Sequence, residues 1–134
     1  MSEKIKQVIV IRKDLRMRRG KEIAQGAHAS MAFLSNRVRS FYDGVDGPGF
    51  GRLGVTPVQE EWLRGIFAKV CVRVNSEEEL LDVERKAREA GLETHLITDS
   101  GRTEFKGVPT PTCVAIGPDH ASKIDEITGD LELY

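Results

Sequence analysis

The segment IKQVIVIR, residues 5–12, constrains the fold of this chain most. Its β-branched residues read as a strand. TCVAIG, residues 112–117, is a second run of the same kind. A strand with one wet face would alternate apolar and polar residues, so near-continuous apolar runs belong to strands covered on both faces. Such strands need a helical layer on each side of their sheet.

The rest of the chain supplies those layers. A helix is expected from about Lys21 to Arg39, with Ile23, Ala27, Met31, Leu34 and Val38 as its apolar, core-facing stripe. Residues 40–55, SFYDGVDGPGFGRLGV, are glycine-rich and read as a long loop. Gly44, Gly47, Gly49 and Gly51 lack the strand-to-helix setting and the lysine that a phosphate loop requires. Thr56 and Pro57 open a short helix through Trp62. AKVCVRV, 68–74, is a second strand. Ser76 and Glu79 suggest a capping box for a helix that runs to Ala90 and ends at Gly91. Leu80, Val83, Ala87 and Ala90 form its buried face, while Glu84–Arg88 and Asp82–Lys86 pair on its wet side. ETHLITD, 93–99, is a third strand with the turn SGRT after it, and 112–117 is the fourth. DHASKIDEITG, 119–129, is a last helix. This order predicts one α/β domain over residues 1–134, a three-layer α/β/α architecture around a four-stranded mixed sheet. At 134 residues the chain can bury a core without disulfide or metal staples.

Composition excludes several classes. With 40% apolar and 31% charged residues the chain reads as an ordinary soluble protein. No apolar run is long enough for a membrane span, and the N-terminus lacks a signal-peptide cleavage site. Cys71 and Cys113 fall inside β-type runs and are expected to be reduced core thiols of a cytoplasmic protein. No cysteine or histidine spacing suits a metal. The net charge of −1 hides an asymmetry: 12 Lys+Arg against 7 Asp+Glu in residues 1–64, and 8 against 14 in residues 65–134. The basic excess gathers at Lys4, Lys6, Arg12, Lys13, Arg16, Arg18, Arg19 and Lys21. Charge alone fits either a solvated loop or a face for a phosphate backbone.

One helix face carries a different signal. At 3.6 residues per turn, Gln25 lies about 40° from Lys21 and His28 about 20° to its other side. Ala24, Gly26, Ala29 and Ser30 beside them are small. Small neighbours let a ligand or a backbone come close and leave the histidine reachable. The helix N-terminus, where Lys21 sits, also favours anions. The same residues also fit an exposed helix face with a half-buried histidine.

The stretch VIVIRKDLRMRRGKEIAQGAHAS resembles the first strand and helix of the type 2 peptidyl-tRNA hydrolases. That family carries an Arg-x-Asp-Leu-x-Met-x-x-Gly-Lys turn and then a helix with Ala-Gln and a nearby His-Ala. Here these are Arg12, Asp14, Leu15, Met17, Gly20, Lys21, Ala24, Gln25, His28 and Ala29. ITDSGRT is similar to its Asp-x-Gly-Arg-Thr turn, with Asp99, Gly101, Arg102 and Thr103. The last strand and helix are in register at Thr112, Gly117, Pro118, Gly129 and Leu131. The likeness covers nearly the whole chain. Residues 40–55 are longer and richer in glycine than the family's usual link, and EFKGVPTP departs from its pattern, so Thr110 competes with Thr112 for the threonine position.

The resemblance implies hydrolysis of the ester between a peptide and the 3′ ribose of tRNA, without metal or cofactor, by a protein that is commonly a homodimer. Ester hydrolysis needs an activated water and a stabilised oxyanion. The residues implied for catalysis are Lys21, His28, Asp99, Thr103 and Thr112. An imidazole can accept a proton near neutral pH, a carboxylate can orient water, an ammonium can neutralise an oxyanion or phosphate, and threonine hydroxyls can donate to a carbonyl. Gln25, Arg12, Arg16, Arg18, Arg19 and Arg102 are implied for substrate binding. Asp99 also suits plain turn formation, and Asp14 leans towards a structural role. The expectation is that the Lys21–Gln25–His28 face meets the Asp99–Thr103 turn in one cleft, with His28 and Asp99 sharing a water. The competing function is a tRNA- or protein-binding module on the same fold without hydrolysis.

Overall fold

The computed structural model describes residues 3–42, 54–102 and 104–134, with the side chains of residues 41 and 42 excepted. In chain order the elements are β1 (Ile5–Arg12), α1 (Arg19–Tyr42), α2 (Pro57–Arg64), β2 (Lys69–Val74), α3 (Glu77–Glu89), β3 (Thr94–Asp99), β4 (Thr110–His120) and α4 (Ala121–Thr128). The strands form one mixed sheet in the order β2-β1-β4-β3. β1 runs parallel to β2 and antiparallel to β4, and β3 runs antiparallel to β4. The two apolar runs are therefore the two central strands, side by side, with Val10 opposite Val114.

Alternation along β1 divides the core in two. Val8 and Val10 point to a cluster with Leu80, Val83, Ala87 and Ile124 from α3 and α4. Ile9 and Ile11 point the other way, to Met17, Ala29, Cys113 and Ala115 beneath α1. The sheet is thus covered on both faces, and that is why neither central strand alternates. On α1's side Trp62 of α2 meets Phe33 edge to face at 6.1 Å between ring centroids, and its indole N–H donates to Ala68 O at 2.8 Å.

Local chemistry sets the element ends. The Thr56 hydroxyl accepts from the Gln59 N–H, and the Gln59 side chain accepts from the Thr56 N–H, a complete capping box with Pro57 inside it. Ser76 accepts from the Glu79 N–H, and Glu79 reaches back to the N–H of Asn75. The wet side of α3 carries the expected Lys86–Asp82 and Arg88–Glu84 pairs, at 2.9 and 3.0 Å. The outer edge of β2 is not left open: the Arg73 N–H donates to Glu132 O and the Tyr134 N–H to Cys71 O, so the C-terminal residues blunt an edge strand.

The structure corrects the reading of α1. Its expected core stripe faces outwards, with Ile23 67%, Met31 57% and Val38 38% exposed. The buried face is Gln25, Ala29, Ala32 and Phe33. The cause is polar pairing at close range. Gln7 of β1, fully buried, donates to Ser30 O at 3.1 Å and accepts from the Ser30 hydroxyl at 2.6 Å. Alanines beside Ser30 let α1 approach closely enough for these bonds. Cys71 is exposed, not a core thiol, because its side of β2 opens onto a groove that it lines with Ile23, Met31 and Phe67. Ala90 is exposed as well, since α3 closes at Glu89. α1 begins at Arg19 and runs to Tyr42, and β4 runs on to His120, so both outgrow their sequence-expected bounds. The glycine-rich segment 43–53 and Thr103 lie outside the described residues.

The close approach of α1 is testable at Ala29, 1% exposed against the sheet. Ala29→Leu is expected to overpack this contact and cost about 1–3 kcal/mol. Urea unfolding measures it, and an unchanged midpoint would place Ala29 off the packed face.

Candidate active site

Four residues from three elements meet at one end of the sheet. Lys21 and Gln25 stand one turn apart near the start of α1, Asp99 ends β3, and Thr112 lies near the start of β4. Lys21 Nζ donates to Asp99 Oδ1 at 2.8 Å. Gln25 Nε2 donates to the same oxygen at 3.3 Å. The Thr112 hydroxyl is 2.5 Å from Gln25 Oε1 and donates to it. Gln25 and Thr112 are buried, so each depends on this pairing.

A break in strand register presents Thr112. Ile97 pairs with Cys113 and Thr98 with Pro111, which leaves Thr112 without an opposite residue. Such an irregularity re-aims one side chain without ending the strand. Here it turns the Thr112 hydroxyl towards α1. Thr110, the alternative for this position, donates instead to Val108 O at 2.8 Å and is outside the cluster.

Asp99 serves two structural purposes at once. Its Oδ2 accepts from the Gly101 N–H at 2.8 Å, closing the turn that follows β3. Gly101 holds φ at +84°, and a Cβ there would strike the backbone of Val108. The other oxygen faces Lys21 and Gln25. The Lys21 ammonium bonded to it, helped by the Gly101 amide and Gln25, lowers the carboxyl below its ordinary value against the opposing effect of desolvation. Asp99 is therefore ionised at neutral pH. Lys21 also lies 5.9 Å from the centre of the Phe105 ring, and its side chain is 16% exposed.

The remaining expected residues distribute unevenly. His28 is exposed and makes no hydrogen bond or ion pair among the described residues. It opens onto a cavity that it shares with Thr98 and His95, and among the described residues the partners of Asp99 are Lys21, Gln25 and Gly101. Arg12 is buried and grips Asp14 through two bonds of 3.1 and 2.7 Å, with a third to Pro111 O at 3.1 Å. Its guanidinium ties the end of β1 to β4 instead of facing solvent. Arg16, Arg18, Arg19 and Arg102 are exposed. Arg18 lies 3.9 Å from Glu104, which places it beside the connection that carries Asp99. Sequence reasoning missed the network around Glu93, which accepts from Arg37, Gln59 and His95 at 2.7, 2.8 and 2.7 Å. It also missed Gln7, whose polar side chain inside an apolar strand was the available signal. Among the described residues no group of three or more His, Cys, Asp or Glu could hold a metal, and no helix is long and apolar enough to cross a membrane.

One end of the α/β sheet thus carries a Lys–Asp–Gln–Thr cluster in which Gln25 and Thr112 are buried and Lys21 and Asp99 half-buried. A profile of the peptidyl-tRNA hydrolase PTH2 family matches residues 5–134, and the chain belongs to that family. It is 43% identical over 129 residues to a peptidyl-tRNA hydrolase of Methanocaldococcus jannaschii, covering 96% of this chain and 99% of that one. It is 41% identical over 130 residues to one of Nanoarchaeum equitans, covering 97% and 99%. A probable peptidyl-tRNA hydrolase 2 of Dictyostelium discoideum is 37% identical over 129 residues, 96% of this chain and 54% of that protein.

The depressed Asp99 carboxyl has a pH consequence. Its charge contributes stability above the unfolded carboxyl value, and that contribution is lost as pH falls through the lower folded value. Lys21→Met is expected to raise the Asp99 midpoint and move this loss to higher pH. Carboxyl carbon NMR titration of Asp99 reads the shift, and an unmoved midpoint would deny Lys21 its leading part.

Proposed function

We infer that the protein hydrolyses the ester joining peptide to tRNA in peptidyl-tRNA, and that the Lys21–Gln25–Asp99–Thr112 cluster is where it does so. Family membership supports the reaction, and the Lys21–Asp99 ion pair at the cluster's centre supports the location. Water adds to the ester carbonyl, and the products are the peptide acid and free tRNA. Among the described residues Asp99 Oδ1 accepts two bonds and Oδ2 one. A carboxylate oxygen has two lone pairs, so Oδ2 keeps one to orient the attacking water.

A carboxylate with a depressed pKa is a weak base, so Asp99 positions water more than it deprotonates it. The larger share falls on charge stabilisation. The Lys21 ammonium meets the oxyanion that forms on the carbonyl, in a site of restricted solvent where such an interaction counts most. Gln25, held by Thr112, fixes the carboxylate. Thr103 is proposed to donate to the substrate. His28 flanks the cluster and contacts the leaving nucleotide. Arg16, Arg18, Arg19 and Arg102 attract the tRNA, and the protein works in the cytoplasm with no cofactor.

Asp99→Asn keeps the shape and removes the charge. Its kcat on peptidyl-tRNA is expected to fall about 10²–10⁴-fold, with affinity for uncharged tRNA within about twofold. Wild-type protein that binds tRNA without releasing peptide would favour the binding-module reading. Full activity in Asp99→Asn would take the carboxylate out of the mechanism.

We further propose a homodimer joined through the outward stripe of α1. Ile23 and Met31 border a groove of about 600 Å³ lined also by Ile9, Ile11, Phe67 and Tyr134. A contiguous apolar surface of this kind marks an interaction site, and a twofold axis would set the same patch against itself. Met31→Glu is expected to give a monomer in sedimentation equilibrium at micromolar concentration. A monomeric wild type would overturn the proposal.

A further inference from the structure

A second cleft lies on the other flank of α1 from the apolar groove. It has a volume of about 340 Å³, and its lining includes His28, Ser35, Asn36, Arg39, His95 and Thr98. Among the described residues no carboxylate lines it. Thr98 is the neighbour of Asp99, and His28 stands less than one turn from Gln25, so the cleft begins where the catalytic cluster ends.

Its cation is built into place. The Glu93 carboxyl is lowered to about 2, chiefly by its bond from His95 with Arg37 and Gln59 assisting, so Glu93 is an acceptor only. His95 Nε2, 2.7 Å away, must then carry the proton. That leaves His95 Nδ1 to accept from Asn36 Nδ2 at 3.2 Å. The Asn36 amide is thereby oriented, and its Oδ1 accepts from Arg39 Nη1 at 3.4 Å. A chain of carboxylate, imidazole, amide and guanidinium therefore runs from Glu93, just before β3, to the cleft. Arg39 is exposed, so its guanidinium faces solvent at the mouth of the cleft.

We propose that this cleft binds a backbone phosphate of the tRNA, several nucleotides before the ester-bearing end. The proposal rests on the peptidyl-tRNA reading above. Lys21 and Arg39 are 18 residues apart on α1, which at 1.5 Å per residue is about 27 Å. That distance suits a stretch of single-stranded RNA laid along the helix from the ester to the cleft. Arg39 supplies the charge, with donors from Asn36 and Thr98 beside it. His95 and Asn36 are positioning residues and contact no reacting atom.

The first measurement is binding of uncharged tRNA against salt concentration, which needs no hydrolysis and stands even if the hydrolase reading fails. Arg39→Ala is expected to weaken binding about 3–10-fold near 0.1 M salt and to reduce the salt slope by about one. Arg39→Lys should keep the slope, and Asn36→Ala should weaken binding while keeping it. With peptidyl-tRNA, Arg39→Ala should raise KM with kcat within about twofold. With an N-acetyl-aminoacyl ester of adenosine, which lacks the upstream phosphates, KM should not change. A lowered Tm with unchanged tRNA affinity would mean that Arg39 only complements the end of α1, and would overturn the proposal. A raised KM on the adenosine ester would assign the cleft to the peptide and overturn it equally.

Discussion

The bond between Thr112 and Gln25 is the constraint on which the site depends. A buried amide is costly unless its groups are paired. Gln25 is paired at both ends, its oxygen by Thr112 and its nitrogen by Asp99. The Cys113 thiol also donates to the Gln25 backbone carbonyl at 3.4 Å. These bonds seat the first half of α1 over β4 in one register and at one depth. Ala29 and Ala32 permit that depth, and the Gln7–Ser30 pair repeats the arrangement one turn further on. A bulkier, apolar helix face would be held farther from the sheet, and Lys21 would not reach Asp99.

The electrostatics follow from that geometry. Asp99 is fixed by the turn at Gly101 and by the helix at Lys21, two parts of the chain about 80 residues apart. Its charge is stabilised where burial would oppose it, and the balance leaves a carboxylate beside an ammonium at the edge of solvent. The net charge of the pair is zero. The exposed positive charge near it lies instead on Arg16, Arg18, Arg19 and Arg102, before and at the start of α1 and in the turn after β3. Arg12 does not share in this, because it is buried and three of its donors go to Asp14 and Pro111 in holding the sheet's end together.

Much of this was legible in the residues. The continuous apolar runs at 5–12 and 112–117 gave two strands buried on both faces, and they are the central pair. Thr56–Pro57 and Ser76–Glu79 marked helix starts through hydrogen bonds that span three residues. Gln25 and Lys21 stood out as polar residues on a face of small neighbours. The orientation of α1 was not legible. Periodicity identifies an apolar stripe but not which surface covers it, and here the stripe is turned away from the sheet. The Glu93–His95–Asn36 chain was equally hidden, since each residue alone is an ordinary polar residue of a strand or helix.

The sequence by itself determined the strands and helices, the cover on both sides of the sheet, and the residues able to do chemistry. Those depend on local hydrogen bonding and on alternation over a few positions. Only the tertiary structure decided that Gln25 is buried, that His28 lines a cavity with His95 instead of bonding Asp99, and that Thr112 and not Thr110 joins the cluster. Each of these turns on a partner about 15 to 90 residues away along the chain. Whether a polar side chain is a buried acceptor, a paired ion or a solvated tip is set by which distant group the fold brings within about 3 Å, the reach of a hydrogen bond.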